Sequence, residues 1–398
     1  MQILVLTESF PTPHHPGRGI FIREQVHALA AHHSVTVLFP RPFWPGIPSH
    51  WLERRARHLG RREPASMRPG CQVKRPGYLY VPRNRTIRSR QLANLVRHEL
   101  DSADPPYDLV HAHWLSPPGL AAVRAVSGTA VPTLVTAHAG DVYRDLAKPG
   151  YLRMAREVVQ GATRLIAVAD YFRDPLERLG ATDEQLRIIP NGVDLTRFHP
   201  AERLAARAEL DLPIAGPMYL YIGNLEISKG VMDLVEAFFI SAPQEAVLVV
   251  AGTGPLWPIL GKRARESGGR LILRGWQPHD TVARYVAASN CFVLPSYGEG
   301  NPVTVLESLC CGIPVIGSTI PAFLPLIKPG HNGFLVPPGA VRELASRLLD
   351  VLAVEWDPAA IARDAGRSYG WPTVAERIIA IYEEAMAVTG KLNPEHRT

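Results

Sequence analysis

Two carboxylates eight residues apart, Glu299 and Glu307, stand in the stretch SYGEGNPVTVLESLCCGIPV, 296–315. Glu299 falls in a Gly-rich turn. Glu307 falls in the apolar half of a predicted helix. The preceding CFVLPS reads as a buried strand, Asn301 as the helix cap, Pro302 as a first-turn residue, Gly312 and Pro314 as terminators, and PVIGS as the next strand. Backbone N–H groups near Val303 and Thr304, at the open end of that helix, suit a phosphate. A carboxylate beside phosphate is repelled by it, so Glu299 suits hydroxyl recognition, as on a sugar. Glu307, deeper, can accept two hydrogen bonds from a vicinal diol such as a ribose. Sugar, diphosphate and ribose in line describe a nucleotide-sugar. A solvent-facing Glu299 and a Glu307 that caps a neighbouring helix would satisfy the same spacing.

The elements that must position these residues alternate along the chain. QILVLT leads through a Gly-containing loop to FIREQVHALAAH, and SVTVLF follows. YDLVHAHW, PTLVTAH and RLIAV each precede a helical run. The rhythm pauses over 191–217 and restarts with MYLYIGN, AVLVVAG, RLILRGW, CFVLPS and PVIGS. This order predicts an α/β protein with two Rossmann-like, doubly wound parallel sheets, 1–200 and 216–372, and a boundary near 195–216. Two such domains would face a cleft at the C-terminal ends of their strands. The last helix, 373–390, is expected to open on a Thr373/Glu376 capping box and to pack back on the N-terminal domain. Between strands, Gly17 and Gly19 precede a helix, where glycine lets a backbone approach a diphosphate. His111 and His113 share one face of a strand. They have no third ligand at workable spacing, so structural or acceptor-lining roles fit them better than a metal.

The chain has 398 residues, 46% hydrophobic and 20% charged, as a soluble two-domain protein does. No run reaches the roughly 18 apolar residues of a membrane span. The opening MQILVLTESF reads as a strand rather than a signal peptide, so a cytoplasmic location is expected. Four cysteines are too few for a disulfide framework and read as reduced and structural. Charge is uneven. Between Arg41 and Leu100, 14 Lys/Arg stand against three acids, an excess of 11 positive charges, which leaves −5 for the rest of a chain whose total is +6. Phe43, Trp44 and Trp51 lie among these arginines. An insertion at about 41–100 is therefore expected, with contact to anionic lipid through 41–97 at the inner face of the plasma membrane. No nucleic-acid module accompanies the charge.

The E-x7-E between VLPSY and CGIPV resembles the retaining glycosyltransferases of family 4, which have the GT-B fold. So do IPNGVDLTRFHP (189–200), YIGNLEISKGVMDLVEAF (221–238), VVAGTGP (249–255), NGFLVPPG (332–339) and YGWPTVAERIIAIYEEA (369–385), in the family's order. The resemblance implies that Glu299 holds donor-sugar hydroxyls, Glu307 the ribose, and Lys229 the diphosphate charge. Where the family shows Gly-Arg-Leu, this chain has Gly223-Asn224-Leu225, so one cation is missing. Arg274, Arg18 or a residue ordered by substrate would then compensate. In the family the loop matching Gly17, Arg18 and Gly19 touches donor and acceptor. VTAHAGDV resembles the loop whose histidine meets the donor sugar. That implies His138 near the anomeric carbon, through its carbonyl or its ring, with Asp141 on the same loop and His113 on the acceptor side. The implied chemistry is metal-independent, front-face transfer from a UDP- or GDP-linked sugar to a hydroxyl of a glycan or lipid-linked acceptor. No cofactor is implied. The wording of the GIF…REQ stretch is similar to enzymes of cell-surface polysaccharide assembly, including the teichuronic-acid type. A sugar-nucleotide epimerase, a phosphorylase, or a non-catalytic relative that binds nucleotide or a partner would share the architecture.

Overall fold

Runs of Val, Ile and Leu become two parallel sheets. The structure, a computed structural model, describes residues 1–12, 15–44, 67, 69–82 and 84–390. It divides into two units, Met1–Asn191 with Trp371–Thr398, and Gly192–Gly370.

In the first unit, seven described strands run parallel in the order Cys71–Lys74, Ser34–Leu38, Gln2–Leu6, Leu109–His113, Thr133–Ala137, Arg164–Ala167, Leu186–Ile188. The central strands are buried on both faces, as a sheet covered by helices must be. One core gathers Leu4, Leu6, Val110, Val135 and the helix Arg85–Ser102; the other gathers Ile3, Val5, Leu109, Leu134 and the C-terminal helix. That helix begins at Trp371, two residues before the expected Thr373 cap. Its stripe of Val374, Ile378, Ile381, Tyr382 and Ala385 is buried throughout in the second of these cores.

In the second unit, six described strands run parallel in the order Leu271–Gly275, Val247–Ala251, Met218–Ile222, Cys291–Leu294, Val315–Ser318, Gly333–Val336. The unit begins at Gly192, ahead of the expected linker. The Val193 N–H donates to the Tyr369 carbonyl at 2.7 Å and Val193 bridges Gly370, so residues after Asn191 are already packed in it. Among the described residues no disulfide occurs; Cys291, Cys310 and Cys311 are buried, and burial pushes each thiol up.

Candidate active site

The second unit holds the paired carboxylates. The helix Val303–Cys310 has its cap on Pro302, not on the expected Asn301. Val303 and Thr304 open the helix, where backbone N–H groups lack partners within it. Upstream, Gly230 caps the helix Val231–Ser241 with φ +65°, and a Cβ there would lie 2.1 Å from the Pro295 carbonyl oxygen. Only glycine lets the turn carrying Lys229 pack so tightly on the chain leading to Glu299. As a result Lys229 Nζ meets Glu299 Oε1 at 2.7 Å, and Ser296 Oγ donates to the same oxygen at 2.7 Å.

Glu307 is 3% exposed. Its Oε1 lies 2.6 Å from Nε2 of His279, the first residue of the helix His279–Ala288. Nδ1 of that ring lies 3.3 Å from Arg197 Nη1. A guanidinium nitrogen can only donate, so Nδ1 accepts and Nε2–H donates to Glu307. Arg197 is itself held by Asp280 at 2.5 Å and Asp194 at 3.4 Å. Glu307 is thus aimed by a relay that leaves Oε2 without a hydrogen bond among the described residues. His279 and Arg197 escaped the sequence reading. Their one signal was position: Arg197 lies inside IPNGVDLTRFHP and His279 follows RGWQP.

Asn224 is exposed in the turn after Met218–Ile222, and its carbonyl accepts from Tyr221 Oη at 2.7 Å. Arg274 is engaged elsewhere. It donates to the carbonyls of Leu210 and Asp211 at 3.3 and 3.2 Å and makes no hydrogen bond to Lys229, Glu299 or Glu307.

In the first unit, Gly19 caps the helix Ile20–Leu29 with φ +63°, where a Cβ would meet the Ser9 carbonyl oxygen at 2.3 Å. Gly17 is exposed in the same turn. Arg18 donates to Ser9 Oγ at 3.1 Å and the Glu8 carbonyl at 3.4 Å. His138 follows the strand Thr133–Ala137 and packs on Trp114 at 4.8 Å and Phe21 at 5.2 Å. His113 Nδ1 sits 3.1 Å from His138 Nε2. His113 is fully buried behind His138, stacked also on His111, and does not line the cavity described below. His111 uses both ring nitrogens, on Tyr382 Oη and Thr136 Oγ1 at 2.7 Å each, which leaves neither for a metal. Burial holds His111 and His138 down to about 3. Both rings are therefore uncharged at neutral pH.

Asp141 is 1% exposed and acts as a strut. Oδ2 accepts from the His138 N–H at 2.9 Å; Oδ1 accepts from the Leu115 N–H at 3.2 Å and from Tyr151 Oη. Burial pushes its carboxyl up to about 7 against these hydrogen bonds. Trp114, between the two tied loops, holds φ +72°, a conformation that costs about 1–3 kcal/mol and that surrounding structure must impose.

Beside this cluster lies a cavity of about 850 Å³, lined by Glu8, Arg18, Arg85, Arg88, Trp114 and Lys148 among others. Arg85 and Arg88 belong to the basic stretch in which lipid contact was expected. The structure instead turns them inward, to Asp145 at 2.9 Å and Glu8 at 2.8 Å. Residues 45–66, the centre of that stretch, lie outside the described residues. Among the described residues no helix is long and apolar enough to cross a membrane, and no cluster of three metal-binding side chains occurs.

Two family models match this chain, Glycosyltransferase Family 4 over residues 17–197 and Glycosyl transferases group 1 over residues 216–353. The chain is 30% identical over 355 residues to a Bacillus subtilis protein named for glycosyl transfer in teichuronic acid biosynthesis, TuaC, covering 87% of this chain and 88% of that one. Among solved structures it is similar to sucrose-phosphate synthase of Thermosynechococcus elongatus, with a TM-score of 0.76, 23% identity and 98% and 100% of the two chains covered. It is also similar to Anabaena HepE in complex with UDP and glucose, with a TM-score of 0.72, 18% identity and coverage of 96% and 99%. The two parallel-sheet units, the matched models and the relative over most of the chain make this protein a member of glycosyltransferase family 4, with the GT-B fold.

Proposed function

We propose that this glycosyltransferase moves a sugar from a nucleoside-diphosphate donor, with retention and without a metal, to a hydroxyl of a cell-envelope glycan or its lipid-linked precursor. The observation that carries the reading is the Lys229–Glu299 pair at 2.7 Å, four residues ahead of the open end of the helix Val303–Cys310. Donor binding divides that pair. Lys229 turns to the diphosphate, Glu299 to the sugar hydroxyls, and Glu307 Oε2 to the ribose. The C1–O bond to phosphate breaks, the bond from C1 to the acceptor oxygen forms, and the acceptor proton passes to the leaving phosphate oxygen on the same face. Lys229 and the N–H groups of Val303 and Thr304 stabilise the departing charge. The envelope assignment follows the TuaC relative, and the donor class follows HepE with UDP. Contact with anionic lipid through the rest of the 41–97 stretch would bring a lipid-linked acceptor close. Asn224 favours a second reading, nucleotide binding without turnover.

Thermal shift against UDP, GDP, ADP and dTDP in EDTA tests the donor site. One nucleotide at 100 times its dissociation constant should stabilise the protein by about 2.7 kcal/mol. Glu307→Ala should weaken that nucleotide about tenfold or more, as loss of a charge-assisted hydrogen bond does. No shift with any nucleotide would sink the donor reading, and a shift without sugar transfer would favour the second.

A further inference from the structure

The cavity of the first unit has more positive charge than its own carboxylates balance. Arg18, Arg85, Arg88 and Lys148 line it against Glu8, Asp141 and Asp145. Asp141 is already spent on two backbone N–H groups and Tyr151. Glu8 serves Arg88 through Oε2 at 2.8 Å and Tyr78 through Oε1 at 3.3 Å, whereas Arg18 reaches only its main-chain carbonyl, at 3.4 Å. Arg18 therefore lies beside Arg88 with one carboxylate between two guanidiniums; burial holds Arg18 below its ordinary pKa, with Glu8 opposing that and Arg88 adding to it. Three nitrogens, Arg18 Nη1, Arg85 Nη1 and Arg88 Nε, are buried without an acceptor among the described residues. Arg88 holds Glu8, and Arg85 and Lys148 share Asp145, so with Asp141 committed to its own hydrogen bonds two carboxylates face the four cations of the cavity wall.

The helix geometry adds to this. Arg85 and Arg88 occupy the first turn of Arg85–Ser102, which carries no acid. Cations at a helix N-terminus oppose its dipole. Two of them there, each with one carboxylate partner, beside a third on the Gly17–Gly19 turn, keep this end of the cavity electropositive. The cavity volume of about 850 Å³ is that of a ligand pocket, commonly about 300–1,000 Å³. Its wall includes Trp114, whose ring packs on His138 at 4.8 Å and offers an apolar face for a sugar ring.

We infer that this cavity is an acceptor site for a glycan bearing an anionic group, a carboxylate or a phosphate, seated between Arg18, Arg85 and Arg88 with its sugar on Trp114. This deepens the glycosyl-transfer reading and rests on it. The anion adds counter-charge where Glu8 and Asp145 face Arg18, Arg85, Arg88 and Lys148. An acceptor without the charge would find the same cavity and lose these contacts.

Ligand-observed NMR titration of the full chain, held in saturating UDP, tests the assignment with methyl glucuronide and glycerol 3-phosphate against methyl glucoside. Methyl glucuronide, glycerol 3-phosphate or both should bind about 10- to 100-fold tighter than the glucoside. Success of the glucuronide alone identifies a carboxylate, and of glycerol phosphate alone a phosphate. Arg18→Gln with Arg88→Gln should remove the advantage. Glu8→Gln, which strips the carboxylate shared by these arginines, should tighten anion binding; a merely structural role for Glu8 predicts loss. Equal binding of glucoside and charged probes, unchanged binding in a folded double variant, or displacement of the anion by UDP would each overturn the inference. UDP thermal shift is measured in parallel. Anion binding that survives without any UDP response would overturn the donor reading while supporting the anion site.

Discussion

Glu307 shows how a residue's function depends on a neighbour remote in sequence. A buried carboxylate needs partners, and here His279 supplies one through Nε2 while Arg197 fixes the ring's tautomer through Nδ1. Asp141 solves the same problem differently, with two backbone N–H groups and Tyr151. Its carboxyl, pushed up to about 7, makes stability pH-dependent. The folded value lies above the unfolded one near 3.9. Its contribution is therefore full below pH about 4 and is lost as pH rises through about 7, a change on the order of 4 kcal/mol. Buried His111 and His138 act oppositely: their contribution is present above about 6.5 and is lost as pH falls toward about 3. The difference between wild type and Asp141→Asn isolates the aspartate. Urea unfolding should show the variant gaining on the wild type between pH 4 and pH 8; a parallel pH profile would mean that Asp141 titrates normally.

At the scale of elements, turns do the positioning. The Gly230 turn brings Lys229 to Glu299 because backbone passes within 2.1 Å of where a Cβ would sit. Gly230→Ala must therefore shift the turn or strain it. Strain at φ +65° costs roughly 1–2 kcal/mol before the clash is counted. The expected outcome is a lower melting temperature together with weaker nucleotide binding. A variant that loses stability but binds nucleotide as wild type does would uncouple the turn from the site. The Asn84 cap, whose Oδ1 accepts from the Ile87 N–H at 2.9 Å, does for the first unit what the Gly230 turn does for the second. It sets the start of the helix that brings Arg85 and Arg88 to the cavity.

At the scale of the whole molecule, the chain leaves the first unit after Asn191 and re-enters it at Trp371. The ends of the intervening unit are tied by Val193 and Tyr369 at 2.7 Å. A unit of this size with adjacent termini and its own sheet meets the conditions for folding alone. Excised residues 192–370 should give a cooperative melt and keep the nucleotide-induced shift, since Lys229, Glu299, Glu307, His279 and Arg197 all lie within them. Circular dichroism with and without nucleotide checks this, and an excised unit that folds but ignores nucleotide would place part of the donor site elsewhere.

Local patterning determined much of this protein. Buried aliphatic strands alternating with helical runs carry their own periodicity, so two parallel sheets were legible from short windows of sequence. So was the helix beginning at Val303, because Gly, Pro and a change of period mark turns within a few residues; only its cap moved, from Asn301 to Pro302. The family motifs, read together, carried the reading to glycosyl transfer. What the tertiary structure alone decided are pairings across long separations: His279 with Glu307, Arg88 with Glu8, Arg85 with Asp145. In sequence, Arg85 and Arg88 were members of a basic stretch suited to lipid, and His113 was suited to a structural role or an acceptor wall. In the fold, the arginines face a cavity and the histidine is buried. Charge and residue type set what a side chain can do, and both are local. Which partner it meets depends on where sheets and helices bring distant segments, and no short window of sequence contains that geometry.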